Sequence, residues 1–495
     1  MLAIQKKMTN SFLTLLSLPA TAMGFALSVQ ISALSWILST KFGLAIHEVG
    51  LVWAAGPIAG ILGQVIVGII SDKVWFWNGR RRPFILIGGI LAALMLLALP
   101  NIDKIADYLN TGSILGVAIT VALMLDLSIN VSFNPTRSII ADVTSEKDRT
   151  KGYTWMQTIS GTFGVLAYAI GAIKGNYFLI YFGAALVLLF SVIPPFFIEE
   201  PRTLHEEETN APQSNFSVKD IFNAIKPLWG FLLYGVYGLV AKLLNYTAPY
   251  HWAEIVCLMV EIYALLATFM QTEVLRTDGK TNLYGFQKVL GAHAFTWVGI
   301  QTMFVYMFAY VRHQLPEFAV IDDAALTPAL NDKIGSILSW AFLILNLVAA
   351  ILPALVLEPL TRRIGRVKTH YLCLAVMAIA YGGILFLGNS PAAIYFFMAL
   401  AGIGWAATVS LPFAIMSNKV DQRQMGLFMG LFNLSVVLPQ LLASLFIGQI
   451  IQNTPNKAII FMICALCLGF SALLWTLVKE RKFVIDAPVK GGGGH

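Results

Sequence analysis

The stretch that decides the fold is GIISDKVWFWNGRRRPFILIGG, which runs from Gly68 to Gly89. Apolar residues form both of its ends, and its middle holds one acid, Asp72, and the arginine run Arg80 to Arg82. Charged residues make up only 12% of this 495-residue chain, so the concentration of charge here is unusual. The pattern predicts a short polar loop between two membrane-spanning helices.

Composition indicates a membrane protein along the whole chain. Hydrophobic residues make up 58% of it, whereas typical soluble domains contain about 45–50%. Apolar runs of roughly 18 or more residues recur from end to end, and each can cross a bilayer as a helix. They are too long for the strands of a membrane barrel. We therefore predict an all-α polytopic membrane protein.

Several other classes of protein are excluded. The net charge of +7 comes from short loops between spans, where cations set membrane orientation, so no nucleic-acid partner is expected. Cys464 and Cys467 lie on an apolar segment without other ligands and are interpreted as packing residues rather than a metal pair. No phosphate-cradling loop or nucleophile–base arrangement is present. We expect no enzyme, no metal site and no cofactor.

The apolar segments predict two sets of six spans. The first set is near 12–38, 48–71, 83–100, 113–136, 152–173 and 178–198, and the second near 291–312, 335–357, 370–388, 391–414, 426–451 and 457–478. Two more apolar stretches, 227–244 and 252–272, must both cross or both lie flat, so the chain has 12 or 14 spans. A crossing hairpin is favoured.

This pattern predicts the domain organisation. The predicted units are a six-helix bundle (1–199), a cytoplasmic loop (200–226), a central insertion with two helices (227–290), a second six-helix bundle (291–482) and a tail with an engineered remnant (483–495). Clusters of Lys and Arg fall in the loops on the side of both termini, whereas the opposite loops carry isolated cations. Both termini are therefore expected in the cytoplasm, with the chain in the cell (inner or plasma) membrane.

The two sets of spans are related by an internal repeat. Asp72 precedes the pair Gly79-Arg80 with the same spacing that separates Glu358 from Gly365-Arg366. The segment 130–152 likewise recurs as 408–426. Two halves with matching loops are typical of a transporter whose substrate binds near the midplane, between repeats that rock.

Three fuller stretches carry a family resemblance: GPIAGILGQVIVGIISD (56–72), GRRRPFILIG (79–88) and LDLSINVSFNPTRSIIADV (125–143). They resemble the sucrose–proton symporter group of the major facilitator superfamily, which includes plant sucrose carriers, animal relatives and bacterial maltose or sucrose carriers, near the glycoside–pentoside–hexuronide:cation symporters. The resemblance implies a major facilitator fold of two pseudo-symmetric bundles. It also implies import of a disaccharide or related glycoside with a proton as coupling ion. The expected partners are sugar, proton and lipid bilayer, and the expected state is a monomer.

Asp126 is the main candidate for proton coupling. It lies mid-span, where an ionised carboxylate is costly and a functional role is the default hypothesis. Asn130, four residues on, and Arg137, eleven residues on, fall on nearly the same helix face, about 20° apart for the latter. The three form a predicted polar stripe. A cation that only anchors the helix end remains an alternative for Arg137.

The second half lacks these groups. When the repeat segments are aligned, Gly404 stands opposite Asp126, and Ile415 stands opposite Arg137. Proton handling is therefore assigned to the first half, and sugar contacts mostly to the second. Polar and aromatic residues within the spans are candidates for sugar binding, with interhelix hydrogen bonds as the alternative. The candidates are Asn130, Gln30, Gln64, Gln157, Trp297, Gln301, Trp405, Asn433 and Gln440.

The charged loops predict a gate. Asp72 and its counterpart Glu358 are expected to form contacts only while the terminal side is closed, which would favour the state open on the other side. The gate residues are Asp72, Gly79, Arg80, Arg81, Glu358 and Arg366. Three alternatives to a proton-coupled sugar carrier stay open: a sodium-coupled symporter, a drug/proton antiporter, and a sugar sensor or scaffold that does not transport.

Overall fold

The computed structural model describes residues 9–60, 75–77, 79–144, 146–200, 217–244, 246, 251–274, 283–321, 327–420 and 425–480. Within these ranges the chain is helical almost throughout. The first half comprises α1 (Asn10–Thr40), α2 (Ile46–Trp53), α3 (Arg82–Ala98), α4 (Ile102–Tyr108), α5 (Ile114–Val143), α6 (Glu146–Lys174) and α7 (Asn176–Phe196).

A central segment and the second half follow. The central segment comprises α8 (Val218–Ala224), α9 (Trp229–Leu243) and α10 (Trp252–Phe269). The second half comprises α11 (Leu283–Gln314), α12 (Pro316–Ala319), α13 (Pro328–Leu352), α14 (Glu358–Ile364), α15 (Arg366–Leu387), α16 (Pro391–Ser417), α17 (Met425–Leu442), α18 (Gly448–Asn453) and α19 (Ile459–Trp475). Short π-helical segments, Pro353–Leu357 and Ala443–Ile447, follow α13 and α17.

Short polar residues set where several of the long helices begin. Thr9, Ser113, Thr327 and Ser390 precede α1, α5, α13 and α16, and each side-chain oxygen accepts a backbone N–H of the first turn. Such caps satisfy donors that have no partner inside the helix. Eleven described helices are long and apolar enough to cross a membrane, or twelve when the bent pair α8–α9 counts as one. The prediction of an all-α polytopic membrane protein is confirmed.

The internal repeat is visible in the packing of the helices. In the first half, α1 lies along α6 and α7, and α3 lies along α5 and α7. In the second half, α11 lies along α17 and α19, and α15 lies along α16 and α19. The same pattern of neighbours thus occurs twice, as the repeated loop motifs predict.

The central stretches form a helical hairpin. Helices α9 and α10 pack on each other and against α11 and α17, which both belong to the second half. That this hairpin crosses the bilayer stays a prediction. Helix α11 already begins at Leu283, before the boundary predicted at residue 291. The structure therefore attaches the hairpin to the second half through a helix that reaches back into the predicted insertion.

The two halves meet at one end of the molecule. Trp36, near the end of α1, donates through Nε1 to the carbonyl of Asn331 in the first turns of α13, at 2.7 Å. Ser35 donates to the carbonyl of Val305 in α11, at 2.9 Å. We call this end the closed face. The other end, where α1 and α11 begin and α19 ends, is the terminal face.

Candidate functional site

Asp126 lies in the middle of α5 and is only 7% exposed. Its Oδ2 accepts a hydrogen bond from Nε2 of Gln30 in α1, at 3.0 Å. Gly56 brings the second span close, since a Cβ built there would lie 3.4 Å from the same Oδ2. Within the described part of the chain, no cation lies within ion-pair distance of this carboxylate. Among the described residues, this buried carboxyl is therefore held by an amide and not by a positive charge.

The predicted polar stripe on α5 has a buried part at Asp126 and an exposed part at Arg137. Asn130 donates through Nδ2 to the carbonyl of Asp126 at 2.8 Å, so part of this amide serves its own helix. Arg137 is exposed near the end of α5, with its guanidinium 4.2 Å from the ring centre of Phe133. It lines an open cavity of about 490 Å³ together with Gln157. The described contacts of Asp126 and Arg137 are thus separate: Asp126 is a buried carboxyl, and Arg137 lies beside the open cavity.

The candidates of the second half form an aromatic and amide cluster. Trp297 and Trp405 meet edge to face, with ring centres 6.1 Å apart. Nε1 of Trp405 donates to Oδ1 of Asn346 at 3.1 Å. Gln440 donates to Oε1 of Gln301, also at 3.1 Å. The structure therefore joins these four predicted residues in two pairs, and it adds Asn346, whose position as a lone amide in the apolar run LILNLVAA was the available signal.

The remaining sugar candidates lie in different surroundings. Asn433 is half-buried on α17, the helix that also carries Gln440. A Cβ built on Gly60 would lie 3.9 Å from Val437 of α17, so the second span, which approaches Asp126 through Gly56, also packs beside this helix. Gln64 lies outside the described residues.

The loop before α3 is held by an acid that sequence reasoning missed. The carboxylate of Glu200, just after α7, accepts the backbone N–H groups of Arg80, Arg81 and Arg82 at 2.7–3.0 Å. The side chains of Arg80 and Arg81 also pair with Asp142 at 3.2 Å. The arginine run is therefore the start of a helix whose free N–H groups and positive end are satisfied by carboxylates.

The second half repeats this arrangement. Glu480, just after α19, accepts the N–H groups of Arg366 and Val367 at 2.9 and 2.8 Å. The glycine of each motif lies against the acid: a Cβ would be 2.7 Å from Glu200 at Gly79 and 2.6 Å from Glu480 at Gly365. The repeated Gly-Arg pair is thus explained by a capping carboxylate that leaves no room for a side chain.

The predicted gate is only partly visible. Glu358 is exposed and pairs with Arg362 of its own helix, with its Oε1 2.6 Å from the guanidinium. Asp72 lies outside the described residues. The described partners of Glu358 are therefore on its own helix.

The closed face holds the halves together through hydroxyls and small residues. Besides the Trp36 and Ser35 bonds, Ser32 and Ser339 lie 2.8 Å apart through their Oγ atoms. Ser336 donates to the carbonyl of Ala172 at 2.9 Å. The four serines were not predicted, because serines in apolar helices give no signal of a distant partner.

Two pseudo-symmetric helical halves that meet at one end and carry buried polar groups within their spans have the architecture of a membrane transporter rather than of an enzyme. The chain belongs to the Major Facilitator Superfamily, whose family model matches residues 16–443 and, in a second match, 319–491. The predicted superfamily and fold are confirmed.

Relatives named as sugar transporters support the predicted sucrose–proton symporter group. The general alpha-glucoside permease of Schizosaccharomyces pombe is 30% identical over 171 residues, which cover 33% of this chain and 31% of that protein. The sucrose transport protein SUT2 of Oryza sativa subsp. indica is 24% identical over 481 residues, 87% of this chain and 84% of that protein. The sucrose transport protein SUC4 of Arabidopsis thaliana is 22% identical over 490 residues, 92% of this chain and 88% of that protein.

Solved structures share the fold. The nucleoside transporter NupG (D323A mutant) superposes with a TM-score of 0.62 at 13% identity, covering 95% of this chain and 100% of that one. The inward-open xylose transporter XylE from E. coli gives a TM-score of 0.58 at 16% identity, covering 96% and 97%.

Proposed function

We propose that the protein is a secondary active transporter that imports a disaccharide or related glycoside together with a proton, by alternating access. The observation that carries the proton coupling is Asp126, a carboxyl buried mid-span without a paired cation among the described residues. A carboxyl of this kind can be neutral or charged according to what surrounds it, and each form favours a different arrangement of the helices.

The second half supports sugar as the substrate. Trp297 and Trp405 offer aromatic surface to the C–H face of a pyranose ring, and Gln301, Gln440 and Asn346 offer amides to its hydroxyls. Relatives named as sucrose transporters and an alpha-glucoside permease make a glycosidically linked disaccharide the favoured cargo. Binding sites of this composition, mostly apolar with a few placed polar groups, are typical for small molecules.

The transport cycle follows from the two faces. Hydrogen bonds join the two halves at the closed face, and an open cavity lies beside Arg137 in the first half. With both termini in the cytoplasm of the cell membrane, sugar would be released inward at the terminal face. Gln30 presents its Oε1 beside Asp126, buried and without a described partner, as an acceptor for a donor that arrives. The latch between Asp72 and Glu358 would form only when the terminal face closes.

Transport in proteoliposomes tests the proposal. Purified protein is reconstituted without sodium, and uptake of labelled maltose and sucrose is measured with an imposed pH gradient. Asp126→Asn should abolish uphill accumulation and retain sugar exchange between the two sides. Glu261→Gln is the matched control, because Glu261 is also buried in an apolar helix but accepts the backbone N–H of Gly230 within the hairpin, at 3.0 Å. That variant should keep gradient-driven accumulation.

The outcomes separate the alternatives. Accumulation that persists in Asp126→Asn would contradict the coupling role. Accumulation that requires sodium and ignores the pH gradient would favour a sodium symporter. A wild-type protein that binds sugar without uptake or exchange would favour a sensor or scaffold, and proton-driven efflux of apolar cations without sugar transport would favour a drug antiporter.

A further inference from the structure

His293 on α11 contacts one of the two tryptophans assigned to the sugar site. Nε1 of Trp297 donates a hydrogen bond to Nε2 of His293, at 2.9 Å, across one helical turn. An imidazole nitrogen that accepts carries no proton, so the ring is neutral and its proton is on Nδ1. Nδ1 is buried and has no hydrogen-bond partner within the described part of the chain. The ring therefore uses its single lone pair for Trp297.

The surroundings of His293 fix its ring. Phe432 of α17 stacks on it with ring centres 4.9 Å apart and an angle of 13° between the planes. Trp475 of α19 meets it edge-on at 6.5 Å, and His370 of α15 packs against the same tryptophan at 4.5 Å. His293 itself is 2% exposed. The other titratable group that faces it is His370, and no carboxylate among the described residues approaches, so the packing favours a neutral acceptor.

The hydrogen bond from Trp297 to His293 also restricts the orientation of Trp297 in the proposed sugar site. It is half-buried, and its ring stands at 83° to that of Trp405, which is fixed in turn by Asn346. A tryptophan side chain that keeps one rotamer before ligand binding loses less conformational entropy when the ligand binds. The lone pair on His293 selects that rotamer.

We propose that His293 is a positioning residue, whose Nε2 lone pair holds the indole of Trp297 in the orientation that receives the substrate ring. The inference rests on the proposed sugar site and adds a residue that does not touch the sugar. Removing the acceptor should weaken sugar affinity without removing any sugar contact.

Substitutions at His293 distinguish the lone pair from simple packing. In His293→Gln, the amide oxygen can reach the position of Nε2 and accept from Trp297, whereas His293→Asn places its amide near the position of Nδ1 and loses that bond. The dissociation constant for maltose or sucrose should rise roughly three- to tenfold in the Asn variant, as expected for one lost hydrogen bond. The Gln variant should stay near wild type. His370→Asn is the packing control and should leave affinity unchanged.

A double-mutant cycle gives the readout that a merely structural role would not move. In a Trp297→Phe background the indole N–H is gone, so His293→Asn should change affinity by less than about twofold. An equal loss in both backgrounds would overturn the inference. Fluorine NMR of 5-fluorotryptophan-labelled protein decides the contact without any sugar: the Trp297 resonance should move in His293→Asn and return in His293→Gln. An unmoved resonance contradicts the inference, whereas a wild-type protein that binds no disaccharide contradicts the proposed function alone.

Discussion

The closed face gives the sharpest prediction, because one glycine in the second half lies directly against the first half. A Cβ built on Gly335 of α13 would lie 2.8 Å from Nε1 of Trp36 and 2.8 Å from Nδ2 of Asn176. Real Cβ atoms do not come so close to other heavy atoms. Gly335→Leu should therefore separate α13 from α1 and α7 and disfavour the state in which this face is closed.

The magnitude follows from the hydrogen bonds that cross the interface. Four such bonds join α13 to the first half: Ser32 with Ser339, Ser339 with Asn176, Trp36 with Asn331, and Ser336 with Ala172. At about 0.5–1.5 kcal/mol each, their loss shifts the equilibrium between the two states by roughly 2–6 kcal/mol. A shift of this size reverses a moderate preference for the closed state, since about 5.5 kcal/mol takes a population from 99:1 to 1:99. The variant should therefore remain largely open at this face.

Double electron–electron resonance (DEER) measures the distance between the two halves directly. Spin labels at exposed Lys174 of α6 and Asp332 of α13 report the distance between the halves, in a background without the four native cysteines. The variant should show a longer main distance and a lower rate of sugar exchange. Gly382→Leu in α15 is the matched control, because a Cβ there meets nothing within 4 Å. A Gly335→Leu protein with wild-type distances and wild-type exchange would refute the reasoning.

Three further predictions concern the terminal face. Gly365 has φ +90, a conformation open mainly to glycine, so Gly365→Ala should destabilise the protein by roughly 1–3 kcal/mol, seen as a lower unfolding temperature in detergent. Glu480→Gln should also lower the unfolding temperature, because its amide oxygen can accept only one of the two N–H groups and its amide nitrogen faces the other; an unchanged unfolding temperature would contradict the capping role. Glu273 and Lys419 form a buried pair that ties the segment after the hairpin to the end of α16. Burial lowers the pKa of Lys419 while Glu273 opposes that shift. Glu273→Gln should destabilise by roughly 3–5 kcal/mol, and adding Lys419→Met should restore most of the loss; a double variant no better than the single one would contradict this.

Sequence reasoning reached the fold and the position of Asp126 but missed what holds Asp126. An acid in an apolar run is visible in one helix, whereas its partner Gln30 lies on another helix whose rotation and depth depend on packing. Gln30 is predicted to bind sugar, and the structure shows that its amide nitrogen also donates to the carboxylate. The same limit applies to Glu200 and Glu480, since each is an ordinary loop acid in the sequence. Each becomes a cap only because the end of α7 lies beside the start of α3, and the end of α19 lies beside the start of α15.

The two halves are alike in scaffold and different in chemistry, and packing explains part of the difference. Gly404 stands opposite Asp126 in the repeat, and a Cβ built there would lie 2.4 Å from Cβ and 2.9 Å from Sδ of Met377 in α15. The position therefore has no space for a carboxylate, whatever its charge. The first half places Asp126 beside Gly56, where the small residue is on the neighbouring helix and the acid has room. Close helix packing in the second half thus builds a rigid wall for the aromatic and amide cluster, and the proposed proton site is confined to the half in which the glycine and the acid are on different helices.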